Sequence, residues 1–180
     1  MKHEIPLIET VRLRLEPFEI TKHLTARYVS WLNDPNVVRY SEQRHHLHTL
    51  DSCYAFAQGL KDSSNYFWAI VSKNPIPIHI GNLVAYMDVY NRVAELSILI
   101  GEPIGRGQGL GAEAWIAVLN YTLQVAKMRK VFAGTMSENT AMLRIFLQSG
   151  MAIECRQMRH FLFEEREVDL VIASVYASVA

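Results

Sequence analysis

Four glycines fall within seven positions of Gly105-Arg106-Gly107-Gln108-Gly109-Leu110-Gly111-Ala112. Glycine adopts torsions that other residues resist and lets a ligand approach the main chain. Where such a turn opens a helix, the first amide protons lack internal partners and the dipole end is positive. Backbone groups alone can then hold a pyrophosphate, and Arg106 could add a charge. A plain strand-to-helix connection needs fewer glycines.

Three phosphate-binding patterns compete for this turn. A P-loop requires lysine followed by serine or threonine at the helix start, and neither is present. Residues 107–112 formally satisfy the GxGxxA dinucleotide fingerprint, with Glu138 placed as a ribose acceptor, which would make the chain a nicotinamide-dependent oxidoreductase. That fingerprint belongs to a parallel strand-helix-strand unit with a direct turn. Here antiparallel-looking strands precede, and Glu102-Pro103-Ile104 intervenes. The third pattern, Arg/Gln-x-x-Gly-x-Gly/Ala, is matched by Arg106-Gly107-Gln108-Gly109-Leu110-Gly111.

Other reactive side chains are fewer. Glu95 lies in an apolar run over 93–100, where burial would raise a carboxylate pKa and suit it to proton abstraction. An ion-pair partner or an outward-facing acid is the competing reading. His45, His46 and His48 cluster without a cysteine or carboxylate at a zinc spacing, which predicts a solvated loop and no metal. Cys53 and Cys155 form no CxxC and read as reduced thiols. Glu113 follows the glycine turn, where an acidic side chain favours a helix start.

The elements around these residues follow from periodicity. Val11, Leu13 and Leu15 alternate with charges up to Pro17 and predict a strand. Thr21 can cap a helix with Leu24, Tyr28, Trp31 and Leu32 on one face, stopped by Asn33-Asp34-Pro35. Residues 37–48 read as a loop. A second helix starts at Thr49, with Leu50, Cys53, Tyr54, Ala57 and Leu60 inward. Strands over 66–71, 80–89 and 93–100, joined at Lys73-Asn74-Pro75 and Tyr90-Asn91-Arg92, make a meander. Leu110, Ala114, Ala117, Val118, Tyr121 and Val125 mark a long helix running to a basic end at 127–130. A strand over 131–136, a helix from Asn139 with Met142, Ile145 and Phe146 inward, a stop at Gly150, and strands over 152–163 and 168–175 complete the chain.

The 180 residues show no repeat or linker, which predicts one domain over 1–180. Formal net charge is zero, so bulk electrostatics favour neither nucleic acid nor an anionic membrane. The first residues lack the apolar core of a signal peptide and no run reaches membrane-span length, which predicts a cytoplasmic protein.

The third pattern, together with Ala94-Glu95-Leu96-Ser97-Ile98-Leu99-Ile100-Gly101 and the segment from Asn139 to Gly150-Met151, resembles the GNAT superfamily of N-acetyltransferases. Trp31-Leu32-Asn33-Asp34-Pro35-Asn36-Val37 and Arg39-Tyr40 resemble its Rim-type ribosomal-protein subgroup, so the likeness spans nearly the whole chain. It implies an α+β fold of α/β/α layers. The central sheet would be mixed and mostly antiparallel, with about seven strands and about four helices. It implies acetyl-CoA as co-substrate, its pyrophosphate held by the backbone of Arg106, Gly107, Gln108, Gly109, Leu110, Gly111 and Ala112. Leu99, Ile100 and Gly101 would pair with the pantetheine arm, which Asn139 would also touch.

The reaction so implied is direct attack of a neutral primary amine on the thioester, with Glu95 as base and a backbone N–H near Ile100 facing the oxyanion. The amine belongs to a protein N-terminus or to a small metabolite such as an amino sugar or amino acid. Tyr40, Glu42, Arg44 and His45, in the loop that borders the acceptor site in this family, are the acceptor-side residues, and their mixed charges suit a zwitterion better than a polyamine. Phe146 and Met142 stand where relatives carry a tyrosine or serine acid, leaving water, Tyr121 or Ser149 for the thiolate. The same departure motivates the alternative of a catalytically silent acyl-CoA-binding module. Members of the family often form homodimers.

Overall fold

The computed structural model describes residues 4–73 and 76–177; Asn74 and Pro75 of the first expected connector lie outside them. Among the described residues one sheet of eight strands runs β1-β2-β3-β4-β5-β6-β8-β7. The strands are β1 (Ile8–Glu9), β2 (Leu13–Pro17), β3 (Tyr66–Ser72), β4 (Ile78–Asp88), β5 (Val93–Ile100), β6 (Lys130–Met136), β7 (Ala152–Phe163) and β8 (Arg166–Tyr176). Every neighbouring pair is antiparallel except β5 with β6. Six α-helices accompany the sheet: α1 (Ile20–His23), α2 (Ala26–Leu32), α3 (Pro35–Val38), α4 (Leu50–Lys61), α5 (Leu110–Gln124) and α6 (Thr140–Gln148).

Period-two alternation divides the strands between two helical layers. Trp68, Ile70, Leu83, Ala85, Ala94 and Leu96 join Trp115, Val118 and Phe146 in the main core under α5 and α6. Phe67, Val84 and Leu99 face the other way, onto Ala57 and Leu60 of α4 and onto Tyr28 and Trp31 of α2.

Several boundaries differ from those the periodicity predicts. Val11 is 89% exposed, because Thr10 to Leu13 forms a turn between β1 and β2. The first helix is broken in two: Thr25, not Thr21, caps α2, its hydroxyl accepting from the Tyr28 N–H. Asp34 then caps α3, with Pro35 in its first turn, and residues 42–45 form a 3-10 turn, so the expected loop is mostly helical turns. Leu50 and Tyr54 of α4 stay half exposed while Cys53, Ala57 and Leu60 are buried, a narrower stripe than expected. α5 ends at Gln124 with no basic residue in its last turn. Lys130 already belongs to β6, and Arg129 ties the β4–β5 connection through its Nε bond to the Asn91 carbonyl (2.9 Å).

A buried polar group lies beneath α1. His23, 2% exposed, accepts the Glu19 N–H on Nδ1 at 2.9 Å, and its Nε2 is 3.4 Å from Glu16, which also pairs with Arg14 and Lys22. Burial, then the neighbouring His79 and Lys22, lower the His23 pKa to about 4. Burial would raise Glu16, but hydrogen bonds from Lys22 and Arg14 outweigh it and lower its carboxyl to about 2.

Both shifts make the unfolded chain bind protons that the native state refuses. Thermal stability should therefore hold above the ordinary imidazole value of 6.5, fall between 6.5 and 4, and fall further as Glu16 titrates below 4.5. Melting temperatures across that range test it. His23→Asn should flatten the upper segment, and an unchanged slope there would remove His23 as its source.

Candidate active site

β5 and β6 are hydrogen-bonded only where Val93, Ala94 and Glu95 face Lys130, Val131 and Phe132. Beyond that point β5 keeps its ladder with β4 to Ile100, and β6 keeps its ladder with β8 to Met136. The sheet forks. The β5 edge from Leu96 to Ile100 therefore presents backbone donors and acceptors to any extended chain entering the gap.

At the open end of the fork the chain passes Gly101 and a 3-10 turn (Pro103–Gly105) into α5. The glycines here do two different jobs. Gly101 and Gly105 are packing glycines: a Cβ on Gly101 would lie 2.0 Å from Trp31 Cδ2, and one on Gly105 2.8 Å from Ile100 Cγ2. Gly107 and Gly109 have φ of 72° and 75°, and Gly109 is the N-cap of α5 without any side chain to occupy the helix end. Residues 106–109 are exposed, so the glycine turn that leads into α5 lies open to solvent beside the fork. Gly111 is buried in the first turn of α5, above Ile100.

Trp31 is held over Gly101 by Glu102, which accepts its Nε1–H at 2.7 Å and the Arg27 guanidinium at 2.6 Å on both oxygens. Gly101→Ala should overpack this contact and cost about 1–3 kcal/mol of stability. Denaturant titration checks it; a variant as stable as the parent would mean that Trp31 moves aside freely.

The Arg106 guanidinium donates to the carbonyls of Ile100 (3.3 Å) and Gly101 (2.9 Å), bracing the end of β5. A second cation, which periodicity did not single out, stands at the glycine turn. Arg12 donates to the Gln108 carbonyl (2.9 Å), and its Nη2 would be 3.7 Å from a Cβ on Gly109. Glu113 orients it, accepting from Arg12 Nε (2.6 Å), the Arg12 N–H (2.9 Å) and Thr10 Oγ1 (2.6 Å). Glu113 thus clamps the β1–β2 turn to the glycine turn in addition to sitting in the first turn of the helix.

Glu95 lies where the fork closes, opposite Tyr86 of β4 and Phe132 of β6. It faces the α2 and α4 side of the sheet, since Ala94 and Leu96 face the main core. Its side chain is open to solvent on one side, yet desolvation raises its carboxyl, with no cation offsetting the shift. Tyr86 is raised as well, first by burial and then by the Glu95 charge.

Asn139 is the N-cap of α6. Its Oδ1 accepts from the Met142 N–H (3.2 Å) and its Nδ2 donates to Thr135 Oγ1 (3.0 Å), joining β6 to α6. Phe146 is 1% exposed against Trp115. Tyr121 packs among Tyr66 and Trp68 on β3, away from the fork, and the Ser149 hydroxyl donates to the carbonyls of Ile145 and Phe146. Neither is poised to protonate a group in the fork.

Of the residues expected on the acceptor side, Arg44 and His45 line one cleft with partners far away in sequence. α3 packs against β5, and with the 3-10 turn and the β7–β8 turn it borders a cleft of about 450 Å³. Leu32, Val38, Arg39, Arg44, His45 and Phe163 are among its walls. Tyr40 packs on Phe163, Met136 and Val168 beneath it. Glu42 is turned to Arg44 (2.6 Å) and lies 3.8 Å from His45. A second cleft of about 470 Å³, beside Val93 and Phe132, has its Lys130 bound to Glu154 at 2.6 Å.

Among the described residues no group of three or more His, Cys, Asp or Glu is arranged to hold a metal ion, and no helix is long and apolar enough to cross a membrane. Cys53 is buried, Cys155 exposed, and both are free. Glu138 bonds Arg166 (3.3 Å), and the strand feeding the glycine turn is paired antiparallel with β4, which does not match a dinucleotide fold.

The model of the acetyltransferase (GNAT) domain matches residues 12–152. Solved structures agree in fold. An acetyltransferase (GNAT family) from Bacillus anthracis is 18% identical, with a TM-score of 0.80 over 97% of this chain and 100% of that one. Spermidine N-acetyltransferase from Vibrio cholerae in complex with CoA and spermine is 18% identical, with a TM-score of 0.83 over 94% and 98%. Ribosomal-protein-S5-alanine acetyltransferase from Vibrio fischeri is 12% identical, with a TM-score of 0.80 over 96% and 97%.

Proposed function

The chain belongs to the GNAT acetyltransferase family, and from that premise we propose that it transfers an acetyl group from acetyl-CoA to a primary amine by direct attack on the thioester. One observation carries this reading: the fork between β5 and β6 opens beside an exposed glycine turn that runs directly into the N-terminus of a helix. The fork accepts an extended pantetheine arm along Leu99, Ile100 and Gly101, while the amides of residues 106–112 hold the pyrophosphate with Arg12 beside them. Asn139 keeps one amide proton free for the same arm.

Glu95 takes a proton from the incoming ammonium, directly or through water, so that the nitrogen lone pair can attack the thioester carbon. A raised carboxyl pKa brings it closer to the operating pH and improves it as a base. A β5 backbone N–H in the fork meets the oxyanion. Coenzyme A leaves as a thiolate that takes up, through water, the proton the acetylated nitrogen sheds, which a thiol pKa of about 8.5 permits without a dedicated acid.

The missing acid favours a second reading. With Phe146 buried and Met142 unable to donate, the fold could bind acyl-CoA without turning it over. Thiol release with acetyl-CoA and a panel of primary amines separates the two. Release that depends on an amine supports transfer; tight acetyl-CoA binding with no release from any amine supports the silent module.

A further inference from the structure

Two guanidinium groups converge on one aromatic ring in the acceptor-side cleft. Arg39, just after α3, and Arg44, in the 3-10 turn, lie 5.4 and 5.9 Å from the centroid of Phe163. That ring is 3% exposed and fixed from below by Met136, Val168 and Tyr40. Arg44 is already paired with Glu42 at 2.6 Å, which leaves Arg39 as the cation whose partner, Glu164, lines the cleft. His45 and His46 also line it, and its one carboxylate is Glu164.

Glu164 accepts from Arg39 Nη2 at 2.9 Å. It does so from a strained place. Phe163 pairs with Arg166 across a two-residue loop, in which Glu164 and Glu165 have φ of 49° and 61°. Loops of this form favour asparagine and glycine, and each side chain with a Cβ there costs on the order of 1–2 kcal/mol. The turn therefore presents a half-exposed carboxylate to Arg39 at a cost to stability.

Resting on the acetyltransferase reading, we propose that the acceptor is a peptide amino terminus carrying an acidic side chain within its first few residues. That carboxylate binds Arg39, in the seat that Glu164 fills in the free protein. Length sets the peptide class. Glu95 is level with Phe132, whereas the cleft floor reaches Met136, four residues further along β6. That is roughly 13 Å at strand rise, beyond a free amino acid and matched by about three to four extended residues. A polyamine offers Arg39 no carboxylate.

The test uses tetrapeptides alike except for Glu, Gln or Lys at the third position, with spermidine and a free amino acid alongside. kcat/KM should be about tenfold or more higher for Glu than for Lys, a difference of about 1.4 kcal/mol. Arg39→Met should bring the Glu/Gln ratio close to one, and Glu164→Gln should lower KM for the Glu peptide severalfold by vacating the seat. Equal or better use of the Lys peptide or spermidine overturns the proposal, as does a Glu/Gln ratio that Arg39→Met leaves intact. Calorimetry with the same peptides reads the preference without turnover. Selective binding of the Glu peptide with no thiol release would support the cleft assignment and overturn acetyl transfer alone.

Discussion

Glu95→Gln is expected to lower kcat by ~10²–10⁴-fold, the usual contribution of a positioned general base, while acetyl-CoA affinity stays within about twofold. The amide has the shape of the acid and removes only the proton acceptor. The acid limb of the pH profile gives an independent reading. A base works when deprotonated, so activity falls as pH drops through its pKa. Desolvation raises the Glu95 carboxyl above the ordinary 4.5, so that limb should lie above 4.5 in the parent and vanish in the variant. Full turnover by the Gln form would exclude Glu95 as the base and leave it an outward-facing acid.

Gly109→Asp should abolish useful acetyl-CoA binding without unfolding the protein. Aspartate tolerates the left-handed torsions found here better than most residues and is a favoured helix N-cap, so α5 keeps its start. Its carboxylate, however, would compete for the amides that open α5 and place a negative charge at the proposed pyrophosphate site. At a separation of about 5 Å and an effective dielectric near 20, repulsion amounts to about 3 kcal/mol per charge pair, or roughly 100-fold in Kd. Calorimetry with coenzyme A and a thermal melt, run together, decide the matter. Unchanged affinity in a folded variant would move the pyrophosphate away from this turn.

These two tests address parts of the site that were unequally legible. The helix beginning at Leu110 and the strand over 93–100 follow from local periodicity, and both lie where that periodicity places them. One-turn helices and the two-residue β1 were not legible, because such elements lack enough internal hydrogen bonds to be stable alone and exist only where packing supports them. In the sequence the four glycines of residues 105–111 read alike, as permissive torsions and as room for a ligand. Packing divides them, with Gly105 and Gly111 against Ile100 and only Gly107 and Gly109 at positive φ.

By itself the sequence determined a strand, a glycine turn and a helix in unbroken succession, whose torsions are local properties of residues 93–112. Only the tertiary structure decided the rest. The fork depends on where β6 parts from β5, Arg12 reaches Gln108 across 96 residues, and Arg39 meets Glu164 across 125. Periodicity records which face a residue presents to the core. It carries no information about which distant residue will stand opposite, since that is set by how the layers pack.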